Sequence, residues 1–262
     1  MYHHMVEVVP GIHSIDGLDH PIPTVGMVSY LVEENPRDYT LVDTCFNCSI
    51  PAFESYLSNA GIDIKDICRI VLTHLHPDHV EAANEMKRKT GAKTYSHWIE
   101  AAYLSHELEY NGPPNRDTFE HVLKVMGTDI DTVTKKFGKI NIEPIVIDGL
   151  LTDGDIIGKR LQVIHTPGHT PGHISLYDIE RRILIGGDVL FNSILNTDGL
   201  FVPPPAVTKD WETSIVSARR LLNLKVEKLL LAHQSAPILE NAQPMMEKAV
   251  SVAIKRKDEG EK

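Results

Sequence analysis

Apolar residues in this chain fall into two patterns: short β-branched runs, and longer segments with an apolar residue every three or four positions. The short runs predict strands and the longer segments predict amphipathic helices. In the first part of the chain, strands are predicted at 6–15, 26–32, 40–43, 69–72 and 92–96, and helices at 50–59 and 79–89. After residue 140, strands are predicted at 142–147, 160–165, 174–179, 182–185 and 226–232, and helices at 211–222 and 244–255. The two halves share an order of strands followed by a helix.

The segment between these halves departs from that order. Helical spacing is interrupted by a Gly-Pro-Pro break and occurs in three short stretches, at 98–109, 119–126 and 129–137. No internal repeat is visible. We therefore predict one domain over 1–262 with a helical insertion at about 98–139.

The composition is that of a globular protein and argues against several kinds of partner. Hydrophobic residues make up 42% and charged residues 24% of the 262 positions, and no stretch is apolar enough to span a membrane. The net charge of −10 argues against nucleic acid, because phosphate backbones bind basic surfaces. The N-terminal residues lack the basic and apolar segments of a secretory signal. We expect a cytoplasmic protein with a small-molecule substrate, no membrane partner, and a homodimer as an open option.

The densest polar cluster starts at Thr73 and reads Thr-His-Leu-His-Pro-Asp-His. It follows an apolar run, so it lies at a strand end or in the loop after it. His74 and His76 are two residues apart and face the same side of an extended backbone. The proline ends that geometry, and Asp78 and His79 then turn toward a neighbouring point. Neutral imidazoles and a carboxylate suit zinc, iron, nickel or cobalt. The cluster therefore predicts part of a two-metal site.

Three later positions offer further ligands at strand ends or in tight loops. His169 lies between two Pro-Gly turns, Asp188 follows a strand and two glycines, and His233 ends a strand. Each of these positions taken alone also fits an ordinary turn or a core residue. Because they follow the His-rich cluster in this order along the chain, we interpret all three as ligands. His165 and His173 flank His169 and fit a supporting role better than metal binding.

These four pieces together resemble the metallo-β-lactamase superfamily, and the resemblance covers nearly the whole chain. It implies an α+β fold, a four-layer αββα sandwich with metals at one edge of the two sheets. Asp43, in the run Leu-Val-Asp-Thr, matches the strand-end aspartate that supports the metal loop in the family. By this resemblance His74, His76 and His169 hold one metal, Asp78, His79 and His233 hold the other, and Asp188 bridges them.

Several positions depart from the family pattern. The first motif is usually followed by two glycines, where this chain has Val-Glu-Ala-Ala starting at Val80. The last histidine usually lies between glycines, whereas His233 lies between alanine and glutamine. Cys45 stands where glycine is usual. None of these departures removes a ligand.

The three cysteines are Cys45, Cys48 and Cys68. Cys45 and Cys48 have the spacing of a redox pair but do not open a helix in a thioredoxin-like unit. We therefore expect free, partly buried thiols. Cys45 is expected near the metals, because it lies two residues after Asp43.

The resemblance implies a metal-dependent hydrolase. In such an enzyme, two divalent ions share a hydroxide that attacks the carbonyl of a small ester, thioester or lactone. The expected metal is zinc, with iron or manganese as alternatives. Asp78 either transfers a proton in this reaction or serves only as a ligand. A bridging Asp188 resembles the glyoxalase II, lactonase and tRNA-processing branches more than the true β-lactamases.

The substrate pocket is predicted between the insertion and the loop 192–207, with Phe191 and Phe201 among its lining. Only one helix is predicted after His233, which leaves little room for the helical domain of glyoxalase II. Phe191 also stands where lactonases of the family commonly carry tyrosine.

Three other functions stay open: a mono-iron persulfide dioxygenase, a metal-dependent nuclease, and a metal-binding protein without catalysis. The net negative charge argues against the nuclease, and the complete ligand set argues against a protein without catalysis. His76 argues against a flavodiiron protein, in which glutamate takes that position.

Overall fold

The computed structural model describes residues 5–18, 26–112, 120, 123–124, 129–137, 142–193, 199–234 and 239–260. Two units make up the chain. The first contains Met1–Glu109 and Asp131–Leu151, and the second contains Tyr110–Ile130 and Thr152–Lys262. Each unit has a mixed sheet of its own and helices packed on it.

The first unit is built on a seven-stranded sheet whose spatial order follows the chain. Its strands are β1 (Met5–Val9), β2 (Ile12–Leu18), β3 (Met27–Asn35), β4 (Asp38–Val42), β5 (Ile67–Leu72), β6 (Lys93–His97) and β7 (Gly149–Leu151). Strands β1 to β4 pair antiparallel, whereas β4 to β7 run parallel. The carboxyl ends of parallel strands lie at one edge of a sheet. Asp43 and Thr73, which follow β4 and β5, therefore share an edge.

Short helices connect the parallel strands of this unit. They are α1 (Ile50–Asn59), α2 (Pro77–Val80), α3 (Ala83–Thr90) and α4 (Trp98–Leu104), and α5 (Ile130–Phe137) comes later in the chain. Phe53 of α1 and Met86 of α3 are almost fully buried, as are sheet residues such as Leu41 and Ile70. The apolar face of each of these two helices is thus covered, and burial of this apolar surface stabilises the unit.

The second unit is built on a six-stranded sheet in the order β15-β14-β11-β10-β9-β8. These strands are β8 (Ile156–Ile157), β9 (Leu161–His165), β10 (Ile174–Asp178), β11 (Ile183–Ile185), β14 (Lys228–Leu230) and β15 (Leu239–Glu240). Strand β10 is antiparallel to both of its neighbours, and β11 is parallel to β14. Strands β9, β11 and β14 therefore point the same way and end at the same edge of the sheet.

The second unit also contains a two-stranded ribbon and two longer helices. The ribbon pairs β12 (Phe191–Asn192) with β13 (Leu200–Phe201), and the helices are α6 (Trp211–Leu221) and α7 (Ala242–Asp258). One core joins sheet and helices through buried residues such as Leu184, Leu229 and Met246.

Most predicted elements are present, with shifted ends, and three predictions are wrong. The single strand predicted at 6–15 is two antiparallel strands, β1 and β2, because the chain turns at Gly11, which has φ of +73°. Residues 142–147 form no strand, because this segment packs on neighbouring helices: Ile145 N–H donates to the Leu104 carbonyl, and the Pro144 carbonyl accepts from Asn84. The strand of this region is Gly149–Leu151 instead. The helix predicted at 79–89 is interrupted at Ala82, whose N–H donates to the Cys45 carbonyl.

The predicted helical insertion is described only in part. Helices α4 and α5 lie within it, and the first ends at Leu104, five residues before the predicted end. Most of the helix predicted at 119–126 lies outside the described residues, so the insertion and its role as a cap stay predictions. Among the described helices, none is long and apolar enough to cross a membrane.

Candidate metal centre

The first set of predicted ligands follows β5 in the first unit. His74 and His76 are buried, and His74 Nε2 lies 3.1 Å from His76 Nδ1. Two imidazoles on one tetrahedral ion, each bonded at about 2.0–2.1 Å, would place their nitrogens roughly 3.3 Å apart. The pair therefore has the spacing of two ligands of one ion.

Asp43 holds this loop from the side opposite the ligand atoms. Its carboxylate accepts from the Thr73 backbone N–H and hydroxyl, each at 2.8 Å, and lies 2.8 Å from His79 Nδ1. A carboxylate only accepts, so His79 carries its proton on Nδ1 and keeps a lone pair on Nε2. The structure thus brings Asp43, predicted as a supporting residue, into contact with a predicted ligand.

The same network fixes the tautomer of His74. The single proton of the Thr73 hydroxyl is donated to Asp43, so Thr73 Oγ1 accepts from His74 Nδ1–H at 3.1 Å. The lone pair of His74 is then on Nε2, the atom that faces His76. Thr73 is a functional residue that the sequence pattern did not single out, although it directly precedes His74.

Asp78 is the most accessible of the predicted ligands. Its Oδ2 lies 3.8 Å from His79 Nε2, and its side chain is 15% exposed, whereas the other six predicted ligands are at most 6% exposed. An accessible carboxylate beside a buried imidazole can exchange protons with solvent or substrate.

In the second unit, His169 is held by a loop docked on the first turn of α6. Gly168 has φ of +131°, and a Cβ at this position would lie 2.2 Å from the Ser214 backbone nitrogen. The carbonyls of Gly168 and His169 accept from the N–H groups of Asp210 and Lys209 at 2.9 and 3.0 Å. Only glycine permits this approach, which explains the Pro-Gly turn before His169.

Asp188 and His233 follow β11 and β14 at the edge of the sheet where β9 also ends. Asp188 Oδ2 lies 3.2 Å from His169 Nε2 and 3.4 Å from His233 Nε2. All three residues are at most 3% exposed. One carboxylate oxygen thus lies within reach of both imidazoles, the position that a bridging ligand requires.

The two flanking histidines have structural partners. His173 Nε2 accepts from the Asp188 backbone N–H at 2.9 Å, which supports its predicted role behind the ligands. His165 Nε2 lies 3.1 Å from the Pro171 carbonyl oxygen, so it braces the loop that carries His169.

Phe191 packs on the predicted ligands of the second unit. Its ring lies edge-to-face with His169 and His233, with centroids 6.1 and 5.1 Å away, and it is 4% exposed. It also contacts Phe201, its partner in the ribbon, at 5.9 Å. Phe191 therefore restrains both imidazoles, while the half-buried Phe201 keeps more surface for a ligand.

The donors in both units fit divalent metal ions. Within each unit, ligand atoms lie within 4.8 Å of one another, for example those of His74 and His76 or of His169 and Asp188. Buried imidazoles with assigned lone pairs and a buried carboxylate suit zinc and other first-row ions. A buried carboxylate without a cation would be costly, which strengthens the interpretation of Asp188 as a ligand.

Cys45 is buried, Cys48 and Cys68 are exposed, and none of the three forms a disulfide bond. The prediction of partly buried thiols is therefore wrong for the last two. Burial raises the pKa of the Cys45 thiol above its ordinary value, so this side chain behaves as a small apolar residue.

Comparisons with known proteins agree with this geometry. The profile of the Metallo-beta-lactamase superfamily matches residues 24–233. The probable metallo-hydrolase YflN of Bacillus subtilis (strain 168) is 27% identical over 237 residues, which are 87% of this chain and 85% of that protein. A metallo-beta-lactamase family protein of Thermus thermophilus has a TM-score of 0.72 at 24% identity, over 96% of this chain and 82% of that one.

Two further relatives carry more specific names. The hydroxyacylglutathione hydrolase GloC of Haemophilus influenzae is 30% identical over 169 residues, 62% of this chain and 66% of that protein. The acyl-coenzyme A thioesterase MBLAC2 of Bos taurus is 26% identical over 185 residues, 63% of this chain and 59% of that protein.

These likenesses confirm three predictions: the α+β metallo-β-lactamase sandwich, the use of divalent metal ions, and the enzyme class, a metal-dependent hydrolase. The profile alone spans well over half of the sequence. The chain belongs to the metallo-β-lactamase superfamily.

Proposed function

We propose that the two ligand sets complete each other around two divalent ions. Neither set alone reaches the ligand number that two ions need. The observation that carries the proposal is the Asp188 carboxylate oxygen, which lies between His169 and His233. In this proposal His74, His76 and His169 would hold one ion, Asp78, His79 and His233 would hold the other, and Asp188 would contribute to both.

The substrate we propose is a small thioester, with esters and lactones as the related alternatives. Two relatives in the family are named for thioesters, one of glutathione and one of coenzyme A. A thioester carbonyl has less resonance stabilisation than an ester carbonyl, so a nucleophile attacks it more readily. The small-molecule substrate agrees with the net charge of −10, which disfavours nucleic acid.

The ions, when bound, supply Lewis acidity and an acidified water. The protein supplies orientation and proton transfer. Asp43 and His173 keep the ligands in position, and Asp78, as the accessible carboxylate, takes up a proton and returns it to the leaving thiolate. Phe191 excludes water beside the imidazoles, and Phe201 contacts the acyl portion of the substrate.

The first test is metal analysis followed by a substrate panel on the same sample. We expect about two ions per chain. Zinc is the expected metal, and iron and manganese are the alternatives. Acyl-glutathione and acyl-coenzyme A thioesters should be cleaved faster than lactones or a β-lactam. One iron per chain with oxygen consumption on a persulfide would contradict the proposal and support a dioxygenase.

The second test separates the two roles of Asp78. Asp78→Asn keeps an oxygen ligand but cannot take up a proton. We expect unchanged metal content with turnover lower by roughly 10²- to 10⁴-fold. Asp258→Asn, at an exposed position at the end of α7, is the control. Loss of one ion in the Asp78 variant would assign Asp78 to ligation alone.

A further inference from the structure

A chain of buried hydrogen bonds in the second unit starts and ends on the same short turn. The turn consists of Gly186, Gly187 and Asp188, and it delivers the Asp188 carboxylate after β11. At one end, the Asp188 backbone N–H donates to His173 Nε2 at 2.9 Å. At the other end, the Gly186 carbonyl accepts from the Ser175 hydroxyl at 3.0 Å.

Thr166 closes the connection between these ends. Its Oγ1 lies 2.8 Å from His173 Nδ1 and 3.1 Å from Ser175 Oγ. All three residues are at most 1% exposed, so bulk water does not compete for these bonds. The result is a closed ring of interactions through the turn and the side chains of His173, Thr166 and Ser175.

Every proton in this ring has one assignment. A backbone N–H can only donate, so His173 Nε2 is an acceptor and Nδ1 carries the proton. Thr166 therefore accepts from His173 and gives its single proton to Ser175, whose own proton goes to the Gly186 carbonyl. The direction of the whole ring follows from the backbone groups at its two ends, the Asp188 N–H, which only donates, and the Gly186 carbonyl, which only accepts.

We propose that Thr166 is a positioning residue, which holds the Asp188 carboxylate at the bridging position by locking both ends of its turn through His173 and Ser175. This proposal rests on the proposed two-metal function, because it assigns Asp188 to the shared ligand position. Without the Thr166 hydroxyl, His173 Nδ1–H and the Ser175 hydroxyl each lose a partner inside the core, and the turn is held by weaker restraints.

The decisive comparison is Thr166→Val against Thr166→Ser. Valine preserves the shape and removes the hydroxyl, whereas serine keeps the hydroxyl. Affinity for Zn²⁺ is measured by competition with a chelator, and the His173 Nδ1–H proton is followed by NMR in the metal-free protein. In Thr166→Val we expect the weaker Zn²⁺ site to lose roughly 10- to 100-fold in affinity and the downfield proton to be lost or shifted. Thr166→Ser should restore both.

A control and a second variant guard against a general loss of packing. Thr90→Val removes another buried threonine hydroxyl, which donates to the Met86 carbonyl at 2.7 Å in the first unit, and should leave Zn²⁺ affinity unchanged. Ser175→Ala cuts the last link of the ring and should give a smaller loss of affinity in the same direction. It also replaces Thr166→Val if that variant does not fold.

The outcomes separate this proposal from the two-metal function. Wild-type affinity and an unshifted proton in Thr166→Val would overturn the positioning role. A changed proton with unchanged Zn²⁺ affinity would also overturn it, because the ring would then exist without holding the ligand. A wild-type protein that binds no second ion would refute the two-metal function, and the proton measurement would still report on the ring.

Discussion

Replacing Gly168 by alanine should disrupt the metal centre through backbone geometry alone. The new Cβ would lie 2.2 Å from the Ser214 nitrogen and 2.4 Å from its Cα, where real contacts stay above about 3.0 Å. The φ of +131° adds roughly 1–3 kcal/mol of strain for a residue with a side chain. To relieve the contact, the loop that carries His169 must move away from α6. This movement weakens the two backbone hydrogen bonds that dock the loop on α6, each contributing about 1 kcal/mol. We expect a total loss of stability of roughly 3–5 kcal/mol.

Gly154→Ala is the matched control. This glycine also has positive φ, +91°, but nothing lies within 4 Å of the added Cβ, so only about 1–2 kcal/mol of conformational strain is expected. At about 2–4 °C per kcal/mol for a chain near this size, the two variants should differ by roughly 5–10 °C in Tm.

Thermal unfolding and metal content are measured on both glycine variants and on wild type. Gly168→Ala should also bind less metal, because the displaced loop carries His169. If it unfolds within about 2 °C of Gly154→Ala and keeps its full metal content, the close approach of the loop to α6 does not hold the ligand.

Other substitutions test the remaining ligands and one pH effect. Asp188→Ala should remove metal and activity together, and two ions with near-full turnover would show that Asp188 does not bridge. His233→Ala should lower the content from about two ions to about one and hydrolysis by roughly two orders of magnitude or more, whereas retention of both ions would place the ligand elsewhere. Deletion of 113–136 should spare metal binding and change substrate preference, so unchanged kinetics across the panel would contradict the predicted cap. Asp210 caps the N-terminus of α6, and hydrogen bonds from Thr213 hold its pKa below the ordinary value of 3.8. The ionised carboxylate therefore stabilises the fold fully above that pH and less as the pH falls. Asp210→Ala should therefore lower Tm by about 2–4 °C at pH 7 and by less at pH 3; an equal loss at both would contradict this.

The strand ends that carry candidate ligands could be predicted from sequence because their signal is local. A β-branched run followed at once by polar residues marks the point where a buried strand ends at the edge of the sheet. This holds for Ile67–Leu72 before His74 and for Ile183–Ile185 before Asp188. The polar residues after these strands are therefore placed without knowledge of the tertiary structure.

Elements shaped by tertiary contacts could not be predicted in the same way. The helix predicted at 79–89 is interrupted because Ala82 N–H donates to the Cys45 carbonyl and the Glu81 carbonyl accepts from Asn47. The alternation over 142–147 reflects packing on helices rather than a sheet, and nothing in the pattern distinguishes these two environments. The roles of hydroxyl groups also depend on distant partners, so sequence pattern gave no reason to choose Thr166.

A comparison of the two units explains why threonines recur behind the ligands. Thr73 is the first residue after β5, and Thr166 is the first residue after β9. Each joins a histidine Nδ1 to a further acceptor, the Asp43 carboxylate in one unit and the Ser175 hydroxyl in the other. A hydroxyl has one proton to donate. Because the threonine hydroxyl donates that proton to its acceptor, it can only accept from the histidine, and the imidazole therefore carries its proton on Nδ1. In the first unit this leaves the His74 lone pair on the ligand side, and in the second it leaves the His173 lone pair for the backbone of Asp188. The same local chemistry therefore performs two tasks, orienting a ligand directly and orienting the turn that carries one.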